Sequence, residues 1–294
     1  MFGLLNLFKP TGVTSRDVVN RVQRLVKPHK VGHAGTLDPL ASGVLVVCLG
    51  PATRLIEYVQ RMHKRYFATF LLGRHSETED IEGNVTELDN PPVPSEAQIR
   101  TALPQFLGTI QQLPPAFSAL KVEGQRAYDL ARQGQTPDLK PRPIEVHAIE
   151  LIEYVYPQLT LDIRCGSGTY VRSLGRDIAR ALGTEAVMSA LSRTEIGPFL
   201  VSQALSGDDI TPQSIDRAFI PPQRAIGNMP TCSVSEHEEA FVRNGRQIER
   251  RDIGSAGGSS REHEEIALLT FSGRLLAISV QAGPGCWQPR IVFG

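Results

Sequence analysis

The sequence is poor in several features that usually announce a function. It has 294 residues, four cysteines and one tryptophan, and its aromatic content is 6%. Cys48, Cys165, Cys232 and Cys286 lie far apart and none forms a C-x-x-C pair, so zinc-ribbon and dithiol redox readings lose their usual support. No apolar run approaches the ~20 residues a membrane-spanning helix needs. The stretch Met1–Lys9 is too short for a signal-peptide core and runs into a turn at Pro10-Thr11-Gly12, so a reducing cytoplasm is the expected setting. No internal repeat and no glycine-rich nucleotide-binding fingerprint is visible. Net charge is zero, which removes any argument from global basicity.

What is present is a chain with enough apolar residues, 41%, to build a sizeable core. Its charge is unevenly spread. Residues 1–75 carry eleven Lys/Arg against three acids, residues 76–100 seven acids against one Arg, and residues 164–193 five Arg against two acids. The basic front is either ordinary solvated surface or a face for a polyanion.

Hydrophobic spacing predicts an amphipathic helix over 14–27, capped by Thr14 or Ser15 and stopped by Pro28. A Gly-rich loop over 31–43 leads into a buried strand, Val44–Leu49. Tyr66, Ala68, Phe70 and Leu72 alternate as one face of a strand, and Leu159, Leu161, Ile163 and Cys165 as another. Ser95 and Gln98 form a capping box for a helix with Ile99, Leu103, Phe106 and Leu107 inward and Pro104 shortening it. Residues 111–143 read as an excursion from the core with a helical piece at 128–132. A helix over 170–182, with Val171, Leu174, Ile178, Ala179 and Leu182 inward, ends at Gly183. Residues 212–230 read as a linker. Short strands at 240–242, 266–271, 275–280 and 291–293 suggest a β-barrel of about 70 residues, with 254–260 a loop within it. The expected class is α+β, a mixed, mainly antiparallel sheet flanked by helices. The domains are then 1–211, with the insertion at about 111–143, and 231–294.

Asp38 stands between Leu37 and Pro39 in the Gly-rich loop. It is either a turn-capping carboxylate or a nucleophile or general base presented from a rigid edge. His29 and His33 are four apart, but Pro28 and Gly32 break any helix between them, so no metal site is expected. His33 suits stacking or a loop hydrogen bond. The acidic run Glu77, Glu79, Asp80, Glu82 lacks calcium-loop spacing and reads as a solvated loop closing at Gly83-Asn84. Tyr66, after Lys64-Arg65, and Tyr170, after a Gly-Ser-Gly turn, are amphipathic edge residues or base-stacking groups. Arg172 falls in the first turn of its helix, against the dipole, so it is a surface residue or has an anionic partner.

Taken together, several segments resemble the bacterial tRNA pseudouridine-55 synthase family. They are Asn6-Leu7-x-Lys9-Pro10-x-Gly12-x-Thr14-Ser15; Gly32-His33-x-Gly35-Thr36-Leu37-Asp38-Pro39-x-Ala41-x-Gly43-Val44-Leu45; Lys64-Arg65-Tyr66; and Gln112-x-Pro114-Pro115-x-Phe117-Ser118-Ala119-Leu120-Lys121-Val122. Gly168-Thr169-Tyr170-Val171-Arg172-Ser173-Leu174 and Ala190-Leu191-x-Arg193-Thr194 complete the set. The match spans about residues 4–200, and the C-terminal strands resemble the small PUA-type RNA-binding domain. The resemblance implies the pseudouridine synthase fold and a cofactor-free, metal-free isomerisation of uridine 55 in the T loop of tRNA, by a monomer. It implies Asp38 as the essential aspartate, Arg172 as its partner and Tyr66 as the aromatic against the base. Substrate contacts are expected from His33, Tyr66, Tyr170, Leu191, Lys64 and Lys9. A non-catalytic RNA-binding or RNA-folding protein, or the same chemistry on another RNA, remains the alternative.

Overall fold

The computed structural model describes residues 1–118, 120–122, 124–135, 137–250 and 265–293. The first strands explain how the core is layered. Strand β1 (Gly3–Lys9) pairs antiparallel with β3 (Ala41–Leu49), and β2 (Val31–His33) adds to β3. Alternate residues of β1 and β3 serve two cores. Leu5, Leu7, Leu45, Val47 and Leu49 pack under helix α1 (Ser15–Leu25), while Leu4, Val44, Val46 and Cys48 face helix α2 (Ile56–Arg61) and the C-terminal sheet. Burial on both faces is why β3 reads as an unbroken apolar run.

Among the described residues the main sheet has ten strands. Beyond β3 it continues with β8 (Ala186–Ile196), β4 (Lys64–Leu72), β7 (Gln158–Cys165), β6 (Arg142–Val155) and β5 (Gly108–Gln112). β8 runs parallel to β3, and the pairs from β8 to β5 are antiparallel. The expected mixed, mainly antiparallel α+β sheet is the observed one. Helices α3 (Glu96–Ala102) and α5 (Val171–Ala181) cover this half, burying Ile99, Val171, Leu174, Ile178 and Ala179 against Phe70, Leu161 and Ile163. Gly175 of α5 sits so close to Phe70 that a Cβ would come within 2.0 Å of its ring, so only glycine lets the helix settle there.

The excursion departs from β5 and returns in β6 at paired positions, Gln112 opposite Arg142. Between them lie a two-residue hairpin, Lys121–Val122 with Gln125–Arg126, and helix α4 (Ala127–Arg132).

Several expectations need correction. The loop over 31–43 contains a strand, β2. The long strand β6 was not foreseen, and neither were β1 and β8. Leu107 is exposed, because α3 gives way at Pro104 to a 3-10 turn, Leu103–Phe106, that swings it outward. Asp162 is buried on the nominally polar face of β7, where Arg65 grips both its oxygens. The segment 212–230 is no free tether. It carries α6 (Pro212–Arg217), buries Ile215, Ala225 and Ile226, and hydrogen-bonds β1 through Leu4 and Ile220.

Residues 240–242 are helical, within α7 (Glu236–Arg243), capped by Ser235 with Glu238. The C-terminal sheet is a curled, five-stranded half-barrel. Its order is β9 (Thr231–Ser233), β11 (Glu265–Leu269), β12 (Leu275–Gly283), β13 (Cys286–Val292), β10 (Ile248–Glu249), with β9 and β10 as unjoined edges. It docks on the core beside α2 through Phe293, which stacks on Phe2 at 4.9 Å and lies under Arg54 at 4.8 Å. The expected loop at 254–260 lies outside the described residues. Among the described residues, no helix is long and apolar enough to cross a membrane.

Candidate active site

A cleft of about 740 Å³ opens where the Gly-rich loop, β4, β8, the start of α5 and the excursion converge. Asp38, Lys64, Tyr66, Tyr170, Arg172 and Leu191 all line it. Strand register explains the convergence. On β8, Leu191 sits opposite Ala41 of β3 and Ala68 of β4, and Arg193 opposite Gly43 and Tyr66.

Asp38 is presented by its backbone. Ser15, in the first turn of α1, donates to the Leu37 carbonyl at 3.1 Å and accepts from the Leu37 N–H at 2.9 Å. Arg193, almost wholly buried, donates to the carbonyls of Gly35, Thr36 and Val44 at 3.0, 3.5 and 2.9 Å. Gly43 has φ +110 and a Cβ there would lie 2.2 Å from the Arg193 carbonyl, so the strand can approach only as glycine. With the loop held from behind, the Asp38 side chain remains 37% exposed toward the cleft.

Arg172 answers the question posed by its position in α5. Its guanidinium lies 3.3 Å from Asp38 and 3.2 Å from Asp80, and it also donates to the carbonyls of Thr78 (2.7 Å) and Phe117 (3.2 Å). Two carboxylates therefore offset a cation that opposes the helix dipole. Asp80 corrects the reading of the acidic run as a solvated loop. It is 3% exposed, accepting from the Thr78 hydroxyl at 2.6 Å and the Glu82 N–H at 3.1 Å. Glu79 is half-buried, on Arg176 and Ser173. Burial, with Asp80 and Asp38 nearby, pushes the Glu82 carboxyl above its ordinary range.

Tyr66 is buried in the cleft wall beside Arg193. Burial raises its hydroxyl above the ordinary tyrosine pKa, so the phenol is neutral at pH 7. Lys64 turns its amine to the carbonyls of Gln60 and Met62, and burial lowers it to about 8. Tyr170 caps α5. Its backbone N–H and C=O both pair with the buried Gln112 amide, at 2.9 and 3.0 Å, and the Arg142 guanidinium lies 5.0 Å over its ring.

Two expected residues fall outside the cleft. The Lys9 amine is enclosed by the carbonyls of Pro10, Val13 and Pro39 at 2.8, 2.7 and 3.4 Å, with no exposure, so it ties the turn after β1 to the Asp38 loop. His33 stands back on β2, half-buried, with its ring against the Gly35 backbone and its pKa lowered chiefly by burial. Missed by sequence reasoning were Asp80, Arg142, Ser118, Gln112 and the bracing role of Arg193. Ser118 lines the cleft, buried, with its hydroxyl lacking a partner among the described residues. Among those residues no group of three or more His, Cys, Asp or Glu could hold a metal ion.

Comparison with known proteins meets this geometry. Residues 23–171 match the model of the TruB family pseudouridylate synthase, N-terminal domain. The tRNA pseudouridine synthase B of Dehalococcoides mccartyi is 37% identical over 297 residues, spanning 100% of this chain and 97% of that protein. That of Gluconacetobacter diazotrophicus is 42% identical over 258 residues, 85% of this chain and 84% of its own. Among solved structures, the archaeal box H/ACA sRNP Nop10–Cbf5 complex aligns at TM-score 0.74 with 25% identity, over 100% of this chain and 86% of the other. With the same strand core, the same family segment around the Asp38 loop and relatives matched end to end, the chain belongs to the TruB family of pseudouridylate synthases.

Proposed function

We propose that this protein isomerises uridine to pseudouridine at position 55 in the T loop of tRNA, in the cytoplasm, as a monomer and without metal or cofactor. The observation that carries the reading is the Asp38 carboxylate, open to a cleft and set 3.3 Å from a buried guanidinium. The named relatives are tRNA pseudouridine synthases, which supports tRNA as the substrate.

The reaction conserves every atom. The N1–C1′ bond breaks, the uracil turns, C5 bonds to C1′, the C5 proton leaves to solvent or a carboxylate, and N1 takes up a proton. Asp38 opens the sequence either by attacking C1′ or by removing a sugar proton. Both roles require a carboxylate with a cation beside it, and Arg172 lies 3.3 Å away. With Asp38 a third exposed, the RNA itself has to complete the desolvation. Tyr66 is neutral and buried, which suits a packing surface for the base better than a proton acceptor.

Uridine 55 must leave the T loop to enter, at a cost of a few kcal/mol. Stacking on Tyr66 and Tyr170 and phosphate contacts from the basic front offset that cost. Arg142 and Ser118 line the same cleft, each with one buried donor, Nε and Oγ, that has no partner among the described residues. In this reading residues 1–211 form the catalytic domain, the excursion closes on the RNA, and residues 231–294 are a PUA-like RNA-binding domain.

The test is tritium release from tRNA carrying [5-³H]uridine, with mass mapping of the product. Steady release with pseudouridine at position 55, and none from Asp38→Asn despite retained tRNA binding, is expected. Near-wild-type turnover by Asp38→Asn would overturn the reading, and free uracil among the products would make the protein a hydrolase. A T-arm minihelix should suffice as substrate; failure there would point to another RNA.

A further inference from the structure

Helix α5 carries a second arginine one turn beyond Arg172, and the chemistry above gives it no part. Arg172 and Arg176 are four residues apart and share a helix face. Each guanidinium lies between the same two segments, the acidic loop 76–83 and the foot of the excursion. Arg172 takes Thr78 and Asp80 from the first and the Phe117 carbonyl from the second. Arg176 takes the Glu79 carboxylate from the first and the Leu113 carbonyl, at 2.9 Å, from the second. Its Nε donates to Asp177 at 2.9 Å. Ser173, fully buried between the two arginines, donates to the other Glu79 oxygen at 2.6 Å.

Glu79 occupies a telling place in the loop. Its φ is +62, a conformation that residues with a Cβ seldom adopt. The reversal there lets the Thr78 carbonyl and the Asp80 carboxylate, on either side of it, converge on a single Arg172 nitrogen. Both flanks are tied down, Glu79 N–H to the Ser76 carbonyl at 3.0 Å and the Glu79 carbonyl to the Met188 N–H at 2.9 Å. An over-determined, strained turn next to an active-site cation is where a positioning function is expected. The pair is not in the substrate cleft. Glu79 and Arg176 line a separate hollow of about 300 Å³ beside His75 and Pro137.

We propose that Glu79 and Arg176 are positioning residues for the isomerisation: their ion pair clamps the acidic loop to α5, so that Asp80 holds Arg172 and Arg172 holds Asp38, while the same guanidinium ties this arrangement to the foot of the excursion. The inference rests on the isomerase reading above. Neither side chain touches the reacting atoms, so the pair acts on the rate at saturating RNA and leaves binding alone.

The test uses the full-length protein and its Glu79→Ala, Glu79→Gln, Asp80→Ala and Glu79→Ala/Asp80→Ala variants. Glu79→Ala should lower single-turnover pseudouridine formation at saturating tRNA by about tenfold or more, with the tRNA Kd within about threefold of wild type. Glu79→Gln, which retains an acceptor for Arg176 and a partner for Ser173, should recover most of the rate. In the Asp80→Ala background, Glu79→Ala should add less than about twofold, because the two act through one guanidinium. Hydrogen exchange without RNA should rise in the 76–83 peptide of Glu79→Ala and stay unchanged in α5. A wild-type rate in Glu79→Ala, losses that simply multiply in the double variant, or a loss confined to tRNA affinity would each overturn the proposal.

If Glu79→Ala does not fold, Arg176→Lys serves, since an ammonium cannot hold Glu79 and Leu113 in one fork. It should be slowed, and a wild-type rate would again overturn the clamp. If wild type makes no pseudouridine but the exchange change is seen, the isomerase reading falls and the clamp stands.

Discussion

Two loops each send a carboxylate to Arg172, and they are held in opposite ways. The Asp38 loop is fixed through its backbone, by Ser15 on Leu37, by Arg193 on Gly35 and Thr36, and by Lys9 and Gly12 on Pro39. Its carboxylate is left 37% exposed. The 76–83 loop is fixed through its own acidic side chains, and the Asp80 side chain is 4% exposed with its oxygens taken by Arg172, Thr78 and Glu82. The difference separates a carboxylate available to a ligand from one used up in holding a structure. The same guanidinium makes one pair that is open to water and one that is closed to it.

That contrast predicts opposite consequences for the two acids. Asp38→Asn should cost about 10²–10⁴-fold or more in pseudouridine formation, yet shift unfolding by less than about 1 kcal/mol, since an exposed pair contributes little. Asp80→Ala removes the buried one of the two carboxylates on Arg172 and should lower stability by about 2–3 kcal/mol, with a smaller loss of rate. Urea denaturation and single-turnover kinetics on both variants check this. Equal destabilisation by the two would erase the distinction.

The sequence made one of these loops readable and hid the other, for a physical reason. Asp38 lies in a dense local pattern of glycine, proline and small residues leading into a buried strand, and every element of that pattern is within ten residues. Asp80 is buried and Glu79 half-buried because Arg172 and Arg176, more than ninety positions later, arrive from α5, and nothing near them in the chain reports it. A charged run without its partners reads as solvated surface. Strand β4 was legible because its buried face alternates without interruption, whereas β6 carries two register shifts and many charged residues, which blur the period. The helical state of residues 240–242 was within reach, since Ser235 and Glu238 spell a capping box just upstream. Lys9 and His33 were placed in the site by resemblance, but only coordinates show which side of the loop each one faces.

Lys9 sharpens the contrast from the backbone side. Burial lowers its amine from 10.5 to about 8, so the folded protein releases that proton before the unfolded chain does. The burial penalty is full below pH 8 and fades as pH rises toward 10.5. Wild type should therefore gain stability relative to Lys9→Met between pH 8 and about 10, at up to ~1.4 kcal/mol per pH unit. Urea midpoints at pH 7.5 and 9.5 test the sign. A wild type that loses stability relative to Lys9→Met as pH rises would mean that the charged amine's bonds to its three carbonyls outweigh its burial.

The smallest expected effect separates neighbours in sequence. Thr14 and Ser15 are adjacent at the start of α1. The Thr14 hydroxyl caps the helix by accepting from the Asp17 N–H at 3.1 Å, at an exposed position. The Ser15 hydroxyl is buried and turned the other way, to both backbone groups of Leu37. Thr14→Ala should cost about 1 kcal/mol of stability through the lost cap and leave the rate unchanged. Ser15→Ala leaves the Leu37 N–H unsatisfied, at about 1–3 kcal/mol. It also loosens the residue next to Asp38, so the rate should fall a few-fold where Thr14→Ala has no effect. If both variants lose stability and neither loses rate, the backbone of the Asp38 loop is held well enough by Arg193 and Lys9 without Ser15. The bracing would then belong to the strands alone and not to α1.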